Sequence, residues 1–242
     1  MMISTKNNHK GFSLIELMVA MAIASIVMAG IYMFYQSNLR SHITQQALVD
    51  MQQDMRAAMY MMTREIRMAG YNVGDDEAFL IASTAEVQFQ LDDGGNDEVR
   101  YVLSNDDNAD GVPDCVADGT PCVADCVVDG TPCILVRQEG VDLEQVVALN
   151  VDALNIVYFD ADGADLVDPA TGSVPADDTR DIRSVQITIV GRSGATVPVL
   201  MNRGTDSTSY TNQQGTEILA AQNDEFRRMR LTSEVKVRNM GL

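Results

Sequence analysis

The sequence predicts an α+β protein: a long N-terminal helix, its first half able to cross a membrane, packed on an antiparallel β-sheet head. Three observations predict it. Phe12 to Tyr35 is a run of 24 residues whose only charge is Glu16. Beyond it, apolar residues recur every three or four positions as far as Ala69. From Tyr71 onward the period falls to two, as in strands with one buried face.

As a helix, Phe12 to Tyr35 is roughly 36 Å long, against a hydrocarbon core of about 30 Å. The leader before it, Met1 to Gly11, holds Lys6 and Lys10 and no acid. Such a basic flank stays cytoplasmic and sends the C-terminal part across. Glu16 is costly in this setting, by about 3 kcal/mol on insertion scales, and needs a partner or a function. A cut after Gly11 would free the Phe12 amine at the membrane face and leave Glu16 one helical turn further in. There a carboxylate suits the positive end of the helix dipole. It could also reach the Phe12 amine of a neighbouring copy, turning two costly charges into an intersubunit pair.

At these residues the sequence resembles the type IV pilin and pseudopilin family, whose signal is a short basic leader ending in Gly, then Phe, then an apolar helix with Glu fifth after the cut. Gly11, Phe12 and Glu16 match each position. The resemblance implies cleavage between Gly11 and Phe12 by a prepilin peptidase, N-methylation of Phe12, and an assembly role for Glu16. The alternative is an ordinary signal peptide or anchor, with small-x-small sites at Ala20-Met21-Ala22 and Ala22-Ile23-Ala24. A cut there leaves a short apolar region interrupted by Glu16, a poor secretory signal.

The helix is expected to continue to about Ala69. Leu39, Ile43, Ala47, Met51, Met55, Met59, Met62, Ile66 and Ala69 make one apolar stripe, with packing the expected use of the methionines. Gly70, Asn72 and Gly74 supply the stop. Val87, Phe89 and Leu91, then Val99, Tyr101 and Leu103, read as a β-hairpin around the turn Asp92 to Asp97. Further strands are expected over Ile134–Gln138, Val146–Leu149, Leu154–Phe159, Val185–Val190, Ala195–Met201 and Met229–Val237. The organisation is a leader at 1–11, a membrane and assembly half-helix at 12–35, an amphipathic half at 36–70, and a periplasmic or extracellular head at 71–242.

The formal charge is −18. Without the leader's two lysines, 15 basic residues face 35 acidic ones, a balance of −20. Such a head repels phosphate backbones, so direct nucleic-acid binding is not expected. The two histidines are His9 and His42, so the head has none. That excludes Ser-His-Asp and Cys-His catalysis and most zinc chemistry. No nucleophile elbow or phosphate loop occurs, and the protein is read as a non-enzyme; a membrane-anchored calcium-dependent hydrolase is the remote alternative.

The four cysteines lie in a duplicated unit, an insert at 114–133. Asp114-Cys115-Val116-Ala117-Asp118-Gly119-Thr120-Pro121-Cys122 returns as Asp125-Cys126-Val127-Val128-Asp129-Gly130-Thr131-Pro132-Cys133. The Asp-Gly-Thr-Pro turns favour the disulfides Cys115–Cys122 and Cys126–Cys133 in an oxidising space. The other two connectivities and a four-cysteine zinc site are alternatives. Before the repeat, Asp106-Asp107-Asn108-Ala109-Asp110-Gly111-Val112-Pro113-Asp114 resembles the short calcium loops of dockerins and thrombospondin repeats. Asp106, Asn108, Asp110 and Asp114 would ligate by side chain and Val112 by its carbonyl, with Gly111 making the sharp turn. Asp160-Ala161-Asp162-Gly163-Ala164-Asp165 with Asp168, and the turn Asp92 to Asp97, are weaker candidates. No cofactor is required, and Ca²⁺ is the one ligand the spacing suggests.

Three later stretches look like PilW-type minor pilins: Arg64-Glu65-Ile66-Arg67-Met68-Ala69-Gly70-Tyr71, Val99-Arg100-Tyr101-Val102-Leu103, and Arg227-Arg228-Met229-Arg230-Leu231 with Val237-Arg238-Asn239. The resemblance implies a structural minor pilin that initiates or caps a type IV pilus, with roles in adhesion, twitching motility or DNA uptake. It implies contacts with other minor pilins and the major pilin through the helix, with a prepilin peptidase, and with a tip adhesin. Its expected place is the inner membrane before assembly and the cell-surface pilus afterwards. A GspJ-like pseudopilin of a type II secretion system is the structural alternative.

Overall fold

The computed structural model describes residues 13–73, 77–91, 98–104, 106, 109–113, 134–141, 143–193 and 206–240. It divides into two compact units, Met1–Gln45 and Gln46–Leu242. Helix α1 runs Leu14–Ile66, 53 residues. From Leu14 to Tyr35 this helix is apolar on every side but for Glu16, and Leu14, Ile15, Met18, Met21, Ile26 and Phe34 are all exposed. A helix with no polar face is suited to lipid or to other helices. By length and composition α1 can cross a membrane.

In the second unit the expected stripe takes hold. Met51, Met55, Met59, Met62, Ile66 and Ala69 are buried, whereas Leu39 and Ile43, earlier in the stripe, are exposed. The helix ends three residues before Ala69. There Met68 N–H donates to Glu65 O (2.8 Å) and Ala69 N–H to Ile66 O (3.1 Å), the tighter bonding of a closing turn. Gly70 then turns left-handed, at φ +76°, and a Cβ there would lie 2.9 Å from that of Ala78. Its N–H donates to Gln90 O (2.9 Å), so the helix exit is pinned to the sheet. Asn72 is also left-handed, and Gly74 lies outside the described residues.

Strands β1 (Phe79–Ala82), β2 (Val87–Gln90), β3 (Glu98–Leu103), β4 (Ile134–Glu139) and β5 (Gln145–Leu149) form an antiparallel sheet in that order. The expected hairpin is β2–β3; its turn, Asp92 to Asp97, lies outside the described residues. A second sheet holds β6 (Val151–Phe159), β7 (Ser184–Arg192) and β10 (Arg228–Lys236), with β7 central. The strand expected at 195–201 lies outside the described residues. One core joins the two sheets to the helix: Met55, Met62 and Ile66 pack with Phe79, Phe89, Tyr101, Leu154, Ile156, Ile187 and Val235.

Three strands were not expected. β1 has no polar alternation, and β8 (Tyr210–Thr211) and β9 (Glu217–Leu219) are too short to show a period. The β8–β9 hairpin closes a small cluster with Ala153, Val190 and Leu219. All of β7 is therefore buried, although its sequence alternates Val185, Ile187 and Ile189 with Gln186 and Thr188. The polar members find partial partners: Gln186 Nε2 donates to Gln213 Oε1 in the β8–β9 turn (3.0 Å), while its own Oε1 is buried without a hydrogen bond among the described residues, and the Thr188 and Thr232 hydroxyls lie 3.2 Å apart.

Candidate assembly site

At the start of α1, Ser13-Leu14-Ile15-Glu16 has the Ser-x-x-Glu spacing of a capping box. Ser13 O accepts the first helical bond, from Leu17 N–H at 3.2 Å. The Glu16 carboxylate reaches back, with Oε2 accepting the Ser13 N–H at 3.2 Å. Glu16 thus satisfies one of the four amides a helix start leaves without partners. Its side chain and its neighbours Leu14, Ile15 and Leu17 are exposed. The sequence reading assigned Glu16 to an intersubunit pair and missed this local bond, although serine three places ahead of the glutamate signals it. Gly11 and Phe12 lie outside the described residues.

Residues 6–32 match the family described as the prokaryotic N-terminal methylation motif. The chain opens with a prepilin-type methylation segment. The match spans the Gly11–Phe12 junction, Glu16 and most of the apolar run. No curated protein matches the chain. Among solved structures it is similar to a type IV-like pilin from Thermus thermophilus, at 12% identity over 78% of this chain and 96% of that one, with a TM-score of 0.35.

In the head, residues 64–71, Tyr101 and residues 238–239 meet at the helix exit, whereas Arg228 belongs to a second cluster with Asp152. Glu65 accepts the Tyr101 hydroxyl at 2.5 Å and the Arg137 Nε at 2.9 Å, and Arg137 also pairs with Glu139 at 2.8 Å. The Arg137 side chain is almost wholly buried, so this is an ion pair with little competing water. Burial first, then the bond to Glu65, pushes the Tyr101 hydroxyl far above its ordinary range. From β10's end, Asn239 Nδ2 donates to Met68 O (3.0 Å) and Ala69 O (3.3 Å), and Arg238 N–H to Arg67 O (3.2 Å). These bonds satisfy carbonyls that a helix end leaves open. Arg137 is not legible as a site in the sequence, because a single arginine in a short strand carries no pattern.

A second charged cluster ties β6, β7 and β10 together at one end. Asp152 is fully buried and accepts Arg228 Nε at 2.7 Å; Arg192 Nε stands 3.4 Å from its other oxygen, without hydrogen-bond geometry. Arg228 also binds both oxygens of Asp224 at 2.6 Å, and the Arg192 guanidinium lies 4.8 Å over the Phe226 ring. Burial pushes the Asp152 carboxyl up, against the opposing pull of Arg192 and Arg228. These residues sit deep between strands and serve packing.

The acidic loop is described in part. Asp106 accepts Asp110 N–H (3.1 Å) and Gly111 N–H (3.0 Å), and Asp110 accepts Val112 N–H (2.7 Å). Gly111 is left-handed, at φ +85°, and its carbonyl takes the Leu154 N–H at 2.8 Å. The sharp turn expected there is present. Asn108, Asp114, Cys115, Cys122, Cys126 and Cys133 lie outside the described residues. Asp160 accepts Asp162 N–H and Ala164 N–H, and Asp165 and Asp168 likewise bind amides two residues on. Among the described residues no three His, Cys, Asp or Glu side chains are grouped to hold a metal.

Proposed function

We propose that the protein is a structural subunit of the type IV pilin kind, a PilW-like minor pilin that helps to initiate or cap a pilus. One observation carries this reading: a methylation motif over residues 6–32 that opens an apolar run, Phe12 to Tyr35, with Glu16 as its lone charge. A helix of that kind is held by lipid before assembly and by other pilin helices after it. Processing by a prepilin peptidase would leave the Phe12 amine to pair with Glu16 of a neighbour. The partners are then the other minor pilins, the major pilin and a tip adhesin, and the cell uses the assembly for adhesion, twitching motility or DNA uptake. Buried charges that cross-brace strands, Asp152 above all, and a head without histidine favour a scaffold over an enzyme.

The test compares the processed membrane pool with sheared surface filaments. Wild-type protein should appear in the filaments, and Glu16→Leu should stay in the membrane. Protein retained in the periplasm of cells with intact surface pili would favour the GspJ-like pseudopilin instead. Glu16→Leu entering filaments at wild-type levels would contradict the assembly role of Glu16.

A further inference from the structure

The two larger sheets have four outer edges, and among the described residues three are protected. Beside β1, Val174 N–H donates to Ala82 O (2.8 Å) and Ser83 bridges Ser173. Along β6, Leu154 N–H reaches Gly111 O, Ile156 N–H reaches Thr84 O, and Leu166 N–H reaches Tyr158 O. β10 places the charged Arg230, Glu234 and Lys236 at exposed positions, a common way to blunt an edge. β5 has neither device. No strand pairs with its outer side among the described residues.

What β5 and its hairpin tip display is aliphatic. Val141 is 94% exposed, Leu143 89%, Val146 58% and Leu149 45%. An open edge with a row of exposed aliphatics is a template for another strand. The charge around it is mostly negative. Glu144 is exposed at the tip, and Leu149 borders an open cavity of about 250 Å³ whose lining includes Asp50 and Asp54 of α1. Neither aspartate has an ion-pair partner among the described residues. The lining arginine, Arg192, already faces Asp152. A second copy would bring a formal charge of −18 to this acidic rim. A basic segment would not be repelled.

We propose that β5 is a docking edge that takes an extended segment of a partner protein, alternately aliphatic and basic, as a sixth strand of the sheet. Backbone bonds to the β5 edge would supply affinity. Aliphatic side chains would cover Val146 and Leu149, and a lysine or arginine at the Leu149 end would reach Asp50 and Asp54. The edge belongs to the head, so this docking does not depend on how the N-terminus is processed.

The test uses the full chain in detergent and a fluorescent peptide of about seven residues alternating valine and lysine, roughly the length of a strand. N-methylation of every second amide leaves that probe one pairing edge and stops it stacking on itself. Binding should slow deuterium uptake over residues 143–149. It should weaken about tenfold or more in Val146→Arg and in Leu149→Arg, both exposed positions whose change leaves the core intact. A probe N-methylated at every amide should not bind. Absence of binding, equal binding by the fully methylated probe, equal binding by a valine–glutamate probe, or unchanged uptake at 143–149 would each overturn the proposal. So would self-association of the chain that Val146→Arg abolishes, which would assign the edge to a second copy.

Discussion

At Glu65 a single carboxylate fastens the helix exit to β3 and β4, through Tyr101 and Arg137. Tyr101→Phe removes a charge-assisted bond and should cost about 1.5–3 kcal/mol in urea unfolding. The same hydroxyl sets an alkaline limit. Its folded-state value is raised, so the stability it contributes is fully present below about pH 10 and is lost as pH rises further. Tyr158, raised by complete burial, and Tyr210, pushed up to about 12 by burial and Asp206, act in the same direction. Thermal melts should therefore fall steeply above pH 10, and Tyr101→Phe should flatten that fall. The chain has no tryptophan, so phenolate absorbance reports the titration directly. A linear alkaline titration with no step at unfolding would contradict the burial of these hydroxyls. At the other end of the head, Asp152→Ala removes the buried acid that Arg228 and Arg192 share, although Arg228 keeps its pair with Asp224. About 3–5 kcal/mol should be lost, the usual size for breaking a buried pair.

Among the elements, those with several repeats of a period were legible and those without were not. The long run of apolar residues at helical spacing announced α1, and the strand-like stretches announced β2 to β7 and β10. β8 and β9 have two and three residues, less than one informative repeat, and they form through contacts made by β6 and β7. The helix exit was misplaced by three residues because Ala69 continues the apolar spacing while Gly70 is already engaged with Gln90. At the start of α1, Glu16 stands out in the sequence because a lone charge in an apolar span is costly, and its assembly role, with Gly11 and Phe12, belongs to the proposed function. The capping bond to Ser13 was not legible, since it needs the helix start to be known. It makes a prediction for α1: Glu16→Leu should still insert and anchor, because the span becomes more apolar, but its first turn should exchange amide protons faster. Hydrogen exchange of the detergent-solubilised chain measures this, and an unchanged first turn would show that the cap contributes nothing.

For the whole molecule, the acidic balance and the cysteine repeat set the remaining expectations. The head's charge rises toward neutrality as carboxylates bind cations, so calcium should raise its melting temperature if the 106–114 loop is a cage. Binding to the folded state alone would add about 2.7 kcal/mol at a hundredfold excess over the dissociation constant. Asp110→Ala should remove that gain, and an equal gain in the variant would reduce the effect to screening. Peptide mapping of oxidised protein should join Cys115 to Cys122 and Cys126 to Cys133; four alkylatable thiols would refute the staples. Such short loops should stabilise locally by about 2–3 kcal/mol each and leave the sheets folded when reduced.

The central claim is that residues 6–32 are read by the cell as a prepilin signal. Intact-mass and N-terminal peptide spectrometry of membrane-extracted protein tests it most directly. The account predicts a mature chain beginning at Phe12 with an N-methyl group, and a Gly11→Val chain that keeps its leader. A mature terminus among Ala20 to Ala24, or an intact Met1 in the wild type, would contradict it.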